Sequence, residues 1–118
     1  AAFSGGAAAV RPRLRVDGEV PGELLGGTLW RNGPGRFERG GTAYAHMLDG
    51  DGLVYCVELR GGGARLRARF VATAEYLEEE EASEVCYRGT FGTPKPGGVA
   101  GNALDLRTKN LSNTNLIA

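Results

Sequence analysis

Two alternating runs with a glycine cluster between them constrain this chain most. In Leu53 to Leu59, the residues Leu53, Tyr55, Val57 and Leu59 fall on one face of an extended strand. "RGGGAR" then turns the chain, and Ala64 to Val71 alternates again. Arg65, Arg67 and Arg69 face one way; Leu66, Ala68 and Phe70 face the other. Period two with one charged face marks a half-solvated antiparallel strand. The 20 glycines among 118 residues extend the argument along the chain. They sit in short clusters between apolar runs, which points to many tight turns and so to an all-β fold of antiparallel hairpins.

Other segments follow the same logic. Thr28 to Asn32 reads as a short strand with Trp30 as a core aromatic, and "NGPG" (Asn32 to Gly35) reads as the turn that ends it. Ala43 to Leu48 reads as a second strand. Between it and Leu53 lies Asp49-Gly50-Asp51-Gly52, which is hairpin chemistry, since Asp and Gly tolerate the positive φ of tight turns. Residues 43–71 are therefore predicted to form a three-stranded meander. Thr73 to Glu84 is the one helical-looking piece, with Thr73 or Ser83 as a cap and Glu78 to Glu81 as a solvated face. Cys86 to Phe91 reads as a further short strand, residues 92–110 as a long irregular stretch, and the closing "NTNLIA" as a strand just beginning. "LVYCVEL" is apolar and weakly charged, and is expected to recruit other strands at an open edge.

Composition removes several function classes. Lys plus Arg and Asp plus Glu number 14 each, so no global charge draws the chain to nucleic acid. No apolar run approaches the roughly 20 residues that span a bilayer. Cys56, Cys86 and the single His46 form no zinc pattern, and both thiols are expected as small buried apolar groups. Neither GxGxxG, GK[ST] nor GxSxG is present. Residues 1–12 are Ala/Gly-rich and predicted to be a disordered tail before an incomplete domain over 13–118. "AAFSGGAAAV" fits either the end of a processed transit peptide or a truncated reading frame.

Three stretches, in order, resemble one family. They are "VPGELLGGTLWRNGPGRFE" with its Arg31-Asn32-Gly33-Pro34 signature, "HMLDGDGLVYCVEL" with His46, Asp49, Gly50, Asp51 and Gly52, and "RARFVATAEYLEEE…CYRGTFGTPKPGG…ALDLRTKNLSNTNLI". Over about residues 16–118 the chain is similar to the carotenoid cleavage oxygenases, non-haem iron enzymes that include the apocarotenoid oxygenases.

The resemblance implies the N-terminal portion of a seven-bladed β-propeller. It implies Fe(II) on the propeller axis, held by four histidines in the full-length protein and activating O2. The substrate is a lipophilic carotenoid or apocarotenoid whose conjugated double bond is split into two carbonyl products. Neutral imidazoles suit a ferrous ion and leave positions open for oxygen. All four ligands are expected beyond Ala118, so this chain alone is expected to bind no iron and to be inactive. His46 belongs to a motif whose histidine is not an iron ligand in the family, and is expected to bond locally. Asp49 and Asp51 are expected to cap turn backbone, being too few oxygens for a calcium loop. The alternative is a truncated, non-catalytic chain that serves at most as an interaction module.

Three departures stand out. Met47 and Leu48 replace aromatic residues frequent in the family. After "KPGG" the family's apocarotenoid-cleaving members carry a run of large apolar residues near the tunnel mouth that dips into membrane. Here Val99, Ala100, Ala103, Leu104 and Leu106 keep the apolar character in smaller form. Each large-to-small change removes about 2 kcal/mol of burial, so weaker peripheral membrane contact is expected. The Ala/Gly/Arg-rich composition suits a bacterial or algal source; a plastid location follows if algal, otherwise a cytoplasmic or membrane-peripheral one.

Overall fold

The computed structural model describes residues 12–103 and 107–117, without the side chains of Ala100 and Gly101. The strands are β1 (Arg13–Leu14), β2 (Thr28–Arg36), β3 (Glu38–Arg39), β4 (Thr42–Ala43), β5 (Asp51–Arg60) and β6 (Gly63–Phe70), followed by α1 (Ala74–Ala82) and α2 (Gly98–Asn102). Four of the strands form one antiparallel sheet in the order β1-β6-β5-β2, while β3 and β4 pair separately. Apart from Pro12, whose carbonyl accepts from Leu66 N–H, the tail expected over residues 1–12 lies outside the described residues.

The hairpin read around "RGGGAR" is present: β5 and β6 pair from Leu53↔Phe70 to Arg60↔Gly63, with Gly61 and Gly62 turning between them. The meander over 43–71 is not. Its first strand is replaced by β2, which pairs with β5 from Thr28↔Glu58 to Arg36↔Asp51. "NGPG" therefore ends no strand but lies inside β2, with a register irregularity between Pro34 and Arg36. An edge strand tolerates this, because the missing proline N–H faces no ladder partner. The Ala43 to Leu48 strand is cut to Thr42–Ala43, and Met47–Asp49 forms a 3-10 turn capped by His46. "DGDG" is no hairpin: Gly50 has φ −62° and β5 begins at Asp51. The two carboxylates are drawn inward by partners far along the chain.

Register sorts the side chains of the sheet. Trp30, Cys56 and Arg67 lie abreast on one face, and so do Asn32, Val54 and Arg69. Val54 and Cys56 are buried there, beneath arginine stems. The arginine face is thus half-buried rather than solvated, and buried Glu58 pairs with Arg67 on it. Trp30 is 47% exposed, against the core expectation, because β2 is an edge with one flank uncovered. For the same reason the open edge belongs to β2, and "LVYCVEL" is the shielded centre of the sheet.

Thr73 caps α1 by accepting from Tyr76 N–H at 3.1 Å, and Ser83 ends it with φ 56°. Tyr76 and Glu79, three residues apart, share the buried side of this helix. The Tyr76 ring stacks on Phe70 of β6 at 5.6 Å, which seats α1 against the end of the sheet. Cys86 to Phe91 is not a strand but holds one parallel bridge, Arg88↔Thr108, and the described part of "NTNLIA" has no strand. Cys56 is buried, and Cys86 only half so.

Candidate functional site

Four charged side chains from four segments meet in the interior. Arg39 comes from β3, Asp51 from the start of β5, Glu79 from α1, and Lys109 from the last described segment; all four are buried. Arg39 Nη2 donates to Asp51 Oδ2 at 2.8 Å. Arg39 Nε lies 3.5 Å from Glu79 Oε2. Lys109 Nζ is held between Asp51 Oδ1 and Glu79 Oε2. The Tyr44 hydroxyl completes the box, 3.4 Å from Asp51 Oδ2 and 3.5 Å from Lys109 Nζ. Two cations face two anions, so the charges cancel. Desolvating four charges is costly; this mutual pairing offsets it, helped by the Cys86 and Tyr87 N–H groups that donate to Glu79 Oε1 and by Glu80, which accepts from Arg39.

The electrostatics keep the two cations of the box charged. Burial would pull the Lys109 ammonium down, but hydrogen bonds to Asp51 and Glu79 hold it above the ordinary lysine value. Burial acts likewise on Arg39, and Tyr44 and Asp51 hold it above its ordinary value. Chemically the box is a fastener between β3, β5, α1 and the 107–117 segment, not an acid–base pair.

Asp49 makes a second anchor. It is 2% exposed and accepts from Phe91 N–H at 2.8 Å, Thr93 N–H at 3.0 Å and the Thr93 hydroxyl at 2.7 Å. Thr93 Oγ1 accepts in turn from Ala45 N–H. The loop passes so close that a Cβ on Gly89 would stand 2.3 Å from the Asp49 carboxyl carbon. Turn capping was expected of Asp49 and Asp51; Asp49 instead orders a loop some forty residues away, and Asp51 binds two cations.

The remaining predicted residues divide. Asn32 Nδ2 donates to the carbonyls of Ser112 and Asn115, each at 3.0 Å, and so ties the last segment to β2. Gly33 and Pro34 continue that strand, while Arg31 is exposed and its side chain makes no ion pair or hydrogen bond among the described residues. His46 Nδ1 accepts from Leu48 N–H at 3.1 Å, and its ring stacks on Phe91 at 5.2 Å. Buried Gly50 offers its carbonyl to Asn113 Nδ2, as Leu48 does. Gly52 lies under the 111–112 backbone, where a Cβ would meet Ser112 O at 2.3 Å. Val99 on α2 is 86% exposed and Ala103 is exposed; the side chain of Ala100 and all of Leu104 and Leu106 lie outside the described residues.

Sequence reasoning missed Arg39, Tyr44, Glu79, Thr93, Lys109 and Asn113. One signal was available for Glu79: spaced three from Tyr76, it had to share that residue's buried face.

A four-imidazole iron site does not fit these residues. The chain has one histidine, and its ring is engaged by Leu48 and Phe91. Among the described residues no three His, Cys, Asp or Glu side chains group to hold a metal. An apolar hollow of about 440 Å³ lies elsewhere, between Asn32, Val54, Phe70, Val71, Ser112 and Leu116.

Comparison with known proteins bears on this scaffold. Residues 5–118 match the family model described as retinal pigment epithelial membrane protein. The chain is 43% identical over 102 residues to the apocarotenoid-15,15'-oxygenase of Synechocystis sp., covering 86% of this chain and 21% of that protein. It is 34% identical over 86 residues to the β,β-carotene 15,15'-dioxygenase of Homo sapiens, covering 71% and 16%. It superposes on the crystal structure of the cobalt-substituted Synechocystis oxygenase with a TM-score of 0.84 at 39% identity, covering 94% of this chain and 23% of that one. The strands correspond to the N-terminal part of that propeller. The chain spans about a fifth of the length of the relatives it matches.

Proposed function

This chain belongs to the retinal pigment epithelial membrane protein family of carotenoid cleavage oxygenases, and on that premise we propose that it is the opening portion of an oxygenase that splits a carotenoid or apocarotenoid. The reaction consumes one O2 and one conjugated carbon–carbon double bond and yields two carbonyl products. The observation that carries this reading is joint: 43% identity to an apocarotenoid oxygenase, and a matching fold in which the shared motifs lie at buried anchors. Fe(II) is proposed for the full-length protein, on residues outside this chain, and no chemical step is assigned to the residues described above.

The proposed role of these residues is to build the first part of the propeller. The buried box and the Asp49 anchor fix β5, α1 and the 89–103 loop relative to one another. The proposed partner of that loop is a lipid surface, because Phe91 and Val99 stand in solvent on it. For location the proposal is a plastid if the source is algal, and otherwise a cytoplasmic or membrane-peripheral one.

The reading is tested on the protein encoded by the gene read through beyond Ala118. Purified with Fe(II), it is expected to bleach an apocarotenoid polyene with stoichiometric O2 uptake. A full-length protein that binds no iron and leaves the polyene intact would overturn it. The 118-residue chain alone is expected to show no turnover, and measurable cleavage by it would overturn the assignment of the chemistry elsewhere.

A further inference from the structure

The "KPGG" loop is closed by one side chain. Asn102 Oδ1 accepts from Lys95 N–H at 3.0 Å. Its Nδ2 donates to Lys95 O at 2.8 Å and to Gly98 O at 2.7 Å. One amide thus satisfies both backbone groups of Lys95 and one carbonyl of α2. The Asn102 carbonyl is held from the other side by Arg88 Nη1 at 3.3 Å. Two glycines at the near end take conformations that L side chains rarely adopt, Gly97 at φ 114° and Gly98 at φ 63°. The result is a closed ring of backbone on which Val99 stands 86% exposed.

We infer that Asn102 is a positioning residue: it holds residues 95–102 in a preformed loop that presents Val99 outward before any partner arrives. The inference rests, for what the loop meets, on the lipid-docking reading above. A one-turn helix of glycine, valine and alanine does not hold itself together in water. Left open, the segment would lose conformational freedom on docking, and that loss would weaken binding. Between Lys95 and Asn102 the largest apolar side chain is Val99, so this part of the loop has little affinity to spare. Preformation matters more here than it would for a loop carrying large aromatic residues.

The test compares Asn102→Ala, Gly97→Ala and Val99→Asp in the full protein. Two readouts are used: hydrogen exchange of the Lys95 amide, and sedimentation with anionic phosphatidylglycerol vesicles. Asn102→Ala is expected to speed Lys95 exchange at least tenfold while amides of Val54 to Glu58 stay protected, and to lower the bound fraction severalfold. Gly97→Ala opens the ring from its other end and should do the same. Val99→Asp should abolish sedimentation and leave Lys95 protected. Unchanged Lys95 exchange in Asn102→Ala overturns the inference. So does faster exchange with vesicle binding equal to the parent's. If the parent itself does not sediment with vesicles, the docking reading fails, and Lys95 exchange alone still decides whether Asn102 closes the loop.

Discussion

Asp49 and Thr93 meet twice, through the backbone N–H at 3.0 Å and the hydroxyl at 2.7 Å, and both residues are buried. With the Phe91 amide, three donors converge on one carboxylate. Charge-assisted bonds of this kind are the strong ones, and donors left without an acceptor carry the full desolvation penalty.

Asp49→Ala is therefore expected to destabilise the protein by about 3 kcal/mol. Gly89→Ala attacks the same contact from the other side, since its Cβ would overlap the Asp49 carboxylate. The two changes should be strongly non-additive. Urea unfolding of both singles and the double checks this; additive shifts in midpoint would refute a shared contact.

Lys109→Met leaves Asp51 and Glu79 with Arg39 as the only cation they share. Removing one member of a buried pair costs on the order of 3–5 kcal/mol. Adding Glu79→Gln removes the negative charge left in excess over Arg39 and should recover part of the loss. A double variant no more stable than Lys109→Met, measured by denaturant midpoint, would show that the box is not electrostatically coupled.

The pH dependence has a definite sign. Lys109 is held above its ordinary value of 10.5, so its contribution is complete below that pH and lost as pH rises through the folded value. Tyr76, pushed up to about 12 by burial and by its bond to Glu80, acts in the same direction: stability falls from pH 10 upward as the unfolded tyrosine ionises first. For Glu80 burial acts upward, but Arg36 outweighs it and holds the carboxyl below 4.5. That contribution is present above 4.5 and fades as pH falls. Thermal denaturation across pH should show a plateau between these limits, and a maximum above pH 11 would contradict it.

The free edge of β2 carries Leu29 and Trp30, 54% and 47% exposed. Leu29→Lys places a charge on that edge and should reduce self-association of the 118-residue chain. Light scattering against concentration checks it; an unchanged second virial coefficient would point to another contact surface.

The β5–β6 hairpin and the Thr73-capped helix were legible because their signals are local: period two, a glycine turn, a cap followed by helix formers. The family motifs were also legible, and they mark residues that the fold brings to work, Asn32, Asp49 and Asp51 among them. Their roles were not legible. Asp beside Gly is the composition of a tight turn and equally of a buried anchor. What separates the two is a partner such as Thr93 or Lys109, dozens of residues away, which no window around "DGDG" contains. Glu79 was hidden in the same way, inside a run of glutamates that looks uniformly solvated until Tyr76 fixes which side is inward.

The ionic box also has a direction in time. Lys109 leaves the ribosome 65 residues after Tyr44 and 30 after Glu79, so during synthesis the carboxylates of Asp51 and Glu79 emerge long before the ammonium that joins them. In that interval Arg39 is the only cation of the box the two acids have, and α1 rests on the sheet through Arg39 and the Tyr76–Phe70 stack. The hairpin, whose contacts are all near neighbours, is free to form early. Arrival of Lys109 then supplies the second cation and ties the last segment in, so the order of translation sets when the box is completed.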